Sequence, residues 1–179
     1  ERENYFYSNI SENKGIAIVN CGYEKCLPNH YYGPAVRDYY LIHIVIDGKG
    51  VFEYKDKAYE INKNQGFIIF PDEITKYTAD SEKPWYYYWV GFNGLYCKQI
   101  LSEFNLNLEN PVITSENSEM LIKNIISLYH KGKADNFNQF TMTGYLYLIF
   151  SCLKKKSHKS SKEKYVDKAL KYIKNNFMN

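Results

Sequence analysis

No apolar run in this sequence approaches the roughly 18–20 residues that a membrane-spanning helix needs. The chain opens on Glu1-Arg2-Glu3-Asn4 and passes straight into aromatics, without the apolar stretch of a secretory leader. The expectation is a cytoplasmic protein with no membrane partner. Cysteine is sparse: Cys21, Cys26, Cys97 and Cys152 form no Cys-x-x-Cys pair and no Cys-His set at zinc spacing. Cys97 and Cys152 lie in helical patterns and read as core thiols, while Cys21 and Cys26 would pair only in an oxidising compartment. There is no Gly-x-Ser-x-Gly elbow and no glycine-rich phosphate loop. The carboxylates Asp38, Asp47, Glu53 and Asp72 fall mostly at turns rather than in facing pairs. His43 stands in an apolar strand pattern; His30 sits in a loop, and His130 and His158 lie far downstream. Nucleophilic, phosphoryl-transfer and metal chemistry are thus left without a visible device, so no enzyme activity, no metal and no cofactor are expected.

Arginine is scarce as well: Arg2 and Arg37 are the two among 23 basic side chains. In a chain whose default cation is lysine, a guanidinium in the strand region asks for a planar partner. That partner is either a ligand or a carboxylate such as Asp38. The net charge of +3 is unevenly placed. Residues 154–179 hold nine lysines against Glu163 and Asp167, a balance of +7, which leaves −4 on residues 1–153. The body of the chain is therefore a poor nucleic-acid surface, and whatever touches phosphate lies in the tail or past it.

Aromatic and β-branched residues are plentiful, with 19 tyrosines and 10 phenylalanines. Residues 40–46 form an apolar run ending at Asp47-Gly48-Lys49-Gly50, which reads as a hairpin. Val51 to Tyr54, a turn at 55–57, Tyr59 to Ile61, a turn at 62–65 and Gly66 to Phe70 follow. Short strands punctuated this closely predict an all-β sandwich or barrel. The runs at 40–46 and 67–70 read as buried on both faces. Upstream, Ile16 to Val19 is a first strand, 23–34 a loop, and the long strand starts at Val36. Downstream come a strand centred on Tyr77 and one from Trp85 to Phe92. From Asn93 the apolar period changes from 2 to 3.6. A short helix carries Leu95, Ile100, Leu101 and Phe104. A second, capped by Ser115 or Asn117, carries Leu121 to Tyr129. A third spans 136–154 and is apolar on more than one face, so Tyr145, Leu146, Ile149 and Leu153 are expected at a homodimer seam. Residues 154–164 read as a flexible Lys/Ser-rich linker, and 165–179 as a helix with nothing to pack on.

Four pieces in this order carry a resemblance: Arg37-Asp38-Tyr39-Tyr40, Asp47-Gly48-Lys49-Gly50, Gly66-Phe67-Ile68-Ile69-Phe70-Pro71, and Pro84-Trp85-Tyr86-Tyr87-Tyr88-Trp89-Val90-Gly91-Phe92. The pattern is similar to cupins, and more narrowly it resembles the N-terminal effector-binding domain of AraC-type transcription regulators. The resemblance implies a mainly β fold with C-terminal helices (α+β). Residues 14–93 would form a cupin-like double-stranded β-helix barrel and 94–153 a helical dimerisation segment. Residues 165–179 would be the first helix of a helix-turn-helix DNA-binding domain. Residues 1–13 would be an N-terminal arm that either folds over bound effector or patches the barrel exterior.

Trp85, Tyr87 and Trp89 share one face of an extended strand. Flat rings with hydroxyls at the rim suit a sugar, which has an apolar C–H face and many hydroxyls; they equally suit a thick aromatic core. The resemblance raises Tyr77 as an effector-binding tyrosine and Trp89 as a stacking platform for sugar. Tyr87 stands where the family has a sugar-contacting histidine. With Arg37 and His43 these make the expected ligand set. The implied function is sensing of a small-molecule effector, a sugar, by a homodimeric regulator that reads DNA through a further domain. Two alternatives stay open: a metal-dependent cupin enzyme acting on a sugar, and a sensor of a non-sugar effector. Many cupin enzymes hold metal with several histidines and a glutamate; here only His43 is in place, and Thr75 stands about where a later histidine would be.

Overall fold

The computed structural model describes residues 4–7, 15–134 and 138–155. Its strands are β1 (Tyr5–Tyr7), β2 (Ala17–Lys25), β3 (Tyr31–Ala35), β4 (Tyr40–Asp47), β5 (Lys49–Tyr54), β6 (Lys57–Asn62), β7 (Gly66–Ile69), β8 (Thr75–Ala79), β9 (Tyr86–Asn93) and β10 (Val112–Ile113). Among the described residues three helices accompany them: α1 (Cys97–Glu103), α2 (Ser118–Lys133) and α3 (Gln139–Ser151). One sheet has the order β1-β2-β9-β4-β7-β10 and the other β3-β8-β5-β6. All pairings between these strands are antiparallel. The two sheets face each other as a cupin-like barrel, and the helices cover the outer side of the larger sheet.

The central strands β4 and β9 therefore bury both faces, as their unbroken apolar sequences predict. Leu41 and Val45 of β4, with Tyr87 of β9, join Phe52, Ile61, Phe67, Tyr77 and Trp85 in the core between the sheets. Ile42, Ile44, Tyr88, Val90 and Phe92 point the other way, into a second core with Leu121, Ile125, Leu128, Leu146 and Ile149 of the helices. Cys21 lies in this second core and Cys26 in the first, and all four cysteines are free thiols.

Several boundaries depart from expectation. Asp47-Gly48-Lys49-Gly50 is not a hairpin. β4 pairs with β7 and β9, while β5 pairs with β6 and β8, so this corner carries the chain from one sheet to the other. Gly48 takes φ 70° there, packed on the Pro84 backbone where a Cβ would collide. The true hairpin joins β5 to β6 through Lys55-Asp56. Residues 23–34 are not all loop, since β2 runs on to Lys25 and β3 pairs with β8. The long strand starts at Tyr40, and Val36 is exposed. Leu95 is exposed ahead of α1. Asn117 caps α2 by accepting from Met120 N–H at 3.1 Å, and Asn138 caps α3 by accepting from Phe140 and Thr141. The linker from Lys156 and the helix expected at 165–179 lie outside the described residues, as do 1–3 and 8–13 of the arm. Among the described residues no helix is long and apolar enough to cross a membrane.

Three of the four residues expected at a dimer seam turn inward. Leu146, Ile149 and Leu153 are buried in the chain's own helical core, and Tyr145 is half-buried against it. The outward side of α3 instead shows Phe140, Gly144, Tyr147 and Leu148, with Phe140 91% exposed. Leu146→Ala should accordingly cost about 2–5 kcal/mol of unfolding free energy, as for other leucines in packed cores. Phe140→Ala should leave the stability of the isolated chain within about 0.5 kcal/mol. Denaturant unfolding at a concentration low enough to exclude association measures both, and equal losses would contradict this assignment of faces.

Candidate ligand-binding site

A cavity of about 600 Å³ opens between the sheets, bounded by β1, β2, β4 and β9 on one side and β3 and β8 on the other. All five residues of the expected ligand set line it: Arg37, His43, Tyr77, Tyr87 and Trp89. Asn4, Tyr5, Asn20, Tyr23, Glu24, Tyr32, Tyr39 and Leu41 complete the wall. Trp85, on the same strand face, is fully buried beneath it and does not line the cavity.

Trp89 is half-buried, and its indole lies across Gly22, its partner in the β2–β9 register. A Cβ on Gly22 would overlap the indole ring, so this glycine sets the height of the aromatic platform. His43 sits on Phe67, with ring centroids 4.5 Å apart and planes 8° apart, and Phe67 in turn stacks on Phe52. Arg37 does not pair with Asp38, nor with any carboxylate among the described residues. Its guanidinium lies 4.6 Å over the Tyr32 ring, and Nη2 donates to the Tyr77 hydroxyl at a long 3.5 Å. Tyr32 also stacks on Tyr77, with ring centroids 5.5 Å apart, so the guanidinium and the two rings are in mutual contact. Tyr87 donates to Glu24 Oε2 at 3.0 Å, and Glu24 Oε1 lies 3.2 Å from His30 Nε2.

Asn20 reaches the cavity through a fault in the sheet. The β2–β9 register slips between Ile18 and Asn20. Strict alternation would put both residues on the helix side; the bulge keeps Ile18 and Cys21 there and turns Asn20 toward the barrel. Asn20 Nδ2 donates to the Tyr39 hydroxyl at 2.9 Å. Sequence reasoning missed Asn20, Glu24, Tyr32 and Tyr39. A polar Asn directly after an apolar strand start, in Ile16-Ala17-Ile18-Val19-Asn20, was the available signal for Asn20. Glu24 and Tyr32 were hidden because their segment reads as loop.

Burial dominates the electrostatics. His43 is 1% exposed, and desolvation, with Arg37 nearby, holds its pKa well below 6.5. The imidazole is thus neutral, with one donor and one acceptor nitrogen. Burial likewise raises the phenols of Tyr77 and Tyr87; Arg37 partly offsets this at Tyr77, while Tyr77, Cys26 and Glu24 add to it at Tyr87. Three buried polar atoms on the cavity wall have no protein partner: Asn20 Oδ1, Arg37 Nη1 and His43 Nδ1. Among the described residues, His43 belongs to no group of three or more His, Cys, Asp or Glu side chains close enough to hold a cation. Thr75 is buried away from the cavity wall.

The sequence profile of the AraC-like ligand binding domain matches residues 18–150. The chain belongs to this family. The matched stretch of this AraC-type domain runs from the start of β2 almost to the end of α3. The chain is 28% identical over 143 residues to the Msm operon regulatory protein of Streptococcus mutans serotype c, covering 79% of this chain and 51% of that one. It is 30% identical over 143 residues to the lactose operon transcription activator of Staphylococcus xylosus, covering 78% and 50% respectively. It thus spans about half the length of these curated relatives. The crystal structure of the AraC-like transcriptional activator CuxR superposes with a TM-score of 0.50 over 97% of this chain and 70% of that one, at 12% identity, which speaks to the fold alone.

The depressed His43 pKa makes stability pH-dependent. Below about pH 6.5 the unfolded chain takes up a proton that the folded imidazole refuses. This contribution is complete above pH 6.5 and is lost as pH falls toward the depressed folded value. Unfolding free energy should drop by about 1–1.5 kcal/mol between pH 7.5 and 5.5 from this group. Denaturant titrations of the parent and of His43→Gln check it: the variant should lose that part of the slope, and an unchanged slope would place the titration elsewhere.

Proposed function

We propose that this AraC-type domain binds a small carbohydrate in the barrel cavity and passes its occupancy to a transcription regulator controlling genes for sugar use. The observation that carries the reading is the set of three unpaired buried polar atoms beside an aromatic platform. Asn20 Oδ1 accepts, Arg37 Nη1 donates, and His43 Nδ1 does one or the other according to its tautomer. A polyhydroxy ligand answers all three, because each hydroxyl both donates and accepts, while its C–H face lies on Trp89. One relative carries the name of a lactose operon transcription activator, which supports the same reading. In this reading DNA is contacted by a separate helical domain, and the ligand domain itself stays off the phosphate backbone.

The reading includes a homodimer formed through the outward side of α3. Phe140, Gly144, Tyr147 and Leu148 make one stripe at helical spacing. Gly144 has open space where a Cβ would go, although glycine inside a helix costs roughly 0.5–1 kcal/mol against alanine. Close approach of a second helix gives that glycine a purpose. Sedimentation at micromolar concentration should find a dimer, and Leu148→Glu should dissociate it; a strictly monomeric parent would overturn this part.

Calorimetric titration with a panel of mono- and disaccharides tests the ligand class. At least one should bind, and Trp89→Phe should weaken it about tenfold or more, roughly 1.4 kcal/mol, while remaining folded. No binding by any carbohydrate at millimolar concentration, or full affinity in Trp89→Phe, would defeat the assignment.

A further inference from the structure

Beside the cavity, Glu24, Cys26 and His30 each offer one ligand atom, and the three atoms lie within 4.8 Å of one another. All three come from the seven residues that leave the end of β2 and turn back toward β3. The turn is fixed. Asn29 takes φ 59°, His30 N–H donates to Leu27 C=O at 3.1 Å, and His30 C=O accepts from Ala79 N–H at 2.8 Å. Cys26 N–H donates to Trp85 C=O at 3.1 Å. The backbones of the thiol and the imidazole are therefore pinned to β8 and to the residue before β9.

The side chains are arranged in depth. The Cys26 thiol is 6% exposed, whereas the Glu24 and His30 side chains are each 40% exposed, so the thiol forms the back of the cluster and solvent reaches its front. Glu24 divides its oxygens: Oε2 accepts from the Tyr87 hydroxyl at 3.0 Å, and Oε1 faces His30 Nε2 at 3.2 Å. Burial and the nearby Glu24 push the thiol up to about 12, so without a cation Cys26 is a neutral thiol.

We propose that Glu24, Cys26 and His30 form a binding site for a borderline-soft divalent cation of the zinc type. One sulfur, one imidazole nitrogen and one carboxylate oxygen form a donor set that zinc favours, and three protein ligands leave a tetrahedral position for water. The Tyr87 hydroxyl holds the far oxygen of Glu24 and so aims the near one, as outer hydrogen bonds do around metal sites. On binding, the Cys26 S–H bond breaks, a sulfur–metal bond forms and the proton passes to solvent, with no change of oxidation state. This site uses neither His43 nor Thr75; it borders the cavity, whose wall includes Glu24, and its thiol lies in the core between the sheets. It does not depend on the identity of the effector.

Cobalt and zinc titrations of the purified chain decide it. Cobalt should give a near-ultraviolet thiolate charge-transfer band that saturates at one equivalent and is displaced by zinc. Competition with a chromophoric chelator should return one zinc per chain. Cys26→Ser should remove the band, and His30→Ala, at a half-exposed position that the fold tolerates, should weaken zinc by about 100-fold, a typical loss at such sites. Cys152→Ser should keep the band, and thermal melts in chelator confirm that each variant is folded. Absence of stoichiometric binding to the parent, or a cobalt band that survives Cys26→Ser, would overturn the site.

Discussion

The structure depends on one constraint: the larger sheet must bury both of its faces. β4 and β9 lie at its centre, and their apolar residues are divided between two cores by strand alternation. On β9 this places Tyr87 and Trp89 toward the barrel and Tyr88, Val90 and Phe92 toward the helices. A shift of register by one residue would exchange these sets and empty the cavity of its aromatic platform. The helices are thus a condition of the site, because without them Ile42, Ile44 and Val90 would face water and the register would lose its anchor.

The cavity is built from what this packing cannot satisfy. Leaving a buried polar atom unpaired costs about 1–3 kcal/mol, so three of them at one place are a standing strain on the fold. Arg37 deepens it, since its guanidinium rests on aromatic faces with no carboxylate to balance it. Burial is tolerated because Phe67, Phe52 and Trp85 below the cavity are fully packed and supply the apolar contact that offsets it. A ligand that pairs these atoms stabilises the fold by mass action.

The arm strand links this cavity to the helical layer. β1 joins the edge of the larger sheet, and Asn4 C=O accepts from Tyr23 N–H at 3.0 Å. Asn4 and Tyr5 form part of the cavity wall. The next residue, Phe6, seats its ring against Gly132 near the end of α2, at a point where a Cβ would collide with it. Adjacent residues of one short strand thus face the cavity on one side and the helical layer on the other.

Much of this was legible in the chain itself. Period-two and period-3.6 patterns separate the β region from the helical one at Asn93, because burial on one face or two leaves its mark on every successive residue. The unbroken runs at 40–46 and 67–70 identify the doubly covered strands for the same reason. The five expected cavity residues follow from the strand face shared by Tyr87 and Trp89, from the resemblance that raises Tyr77 with them, from the scarcity of arginine that singles out Arg37, and from the strand position of His43. The tertiary structure alone decided what local patterns cannot encode. A glycine corner between sheets and a hairpin have the same signal, so only pairing separates Gly48 from a hairpin turn. The slip at Val19, which delivers Asn20 to the cavity, is a property of two strands together. α3 is apolar on nearly all sides, so its sequence carries no record of which side faces inward; packing against α2 and the sheet buries Leu146 and Ile149 and leaves Phe140 and Leu148 outside. Likewise Glu24, Cys26 and His30 have no recognisable spacing, and it is the turn closed on β8 and Trp85 that gathers them.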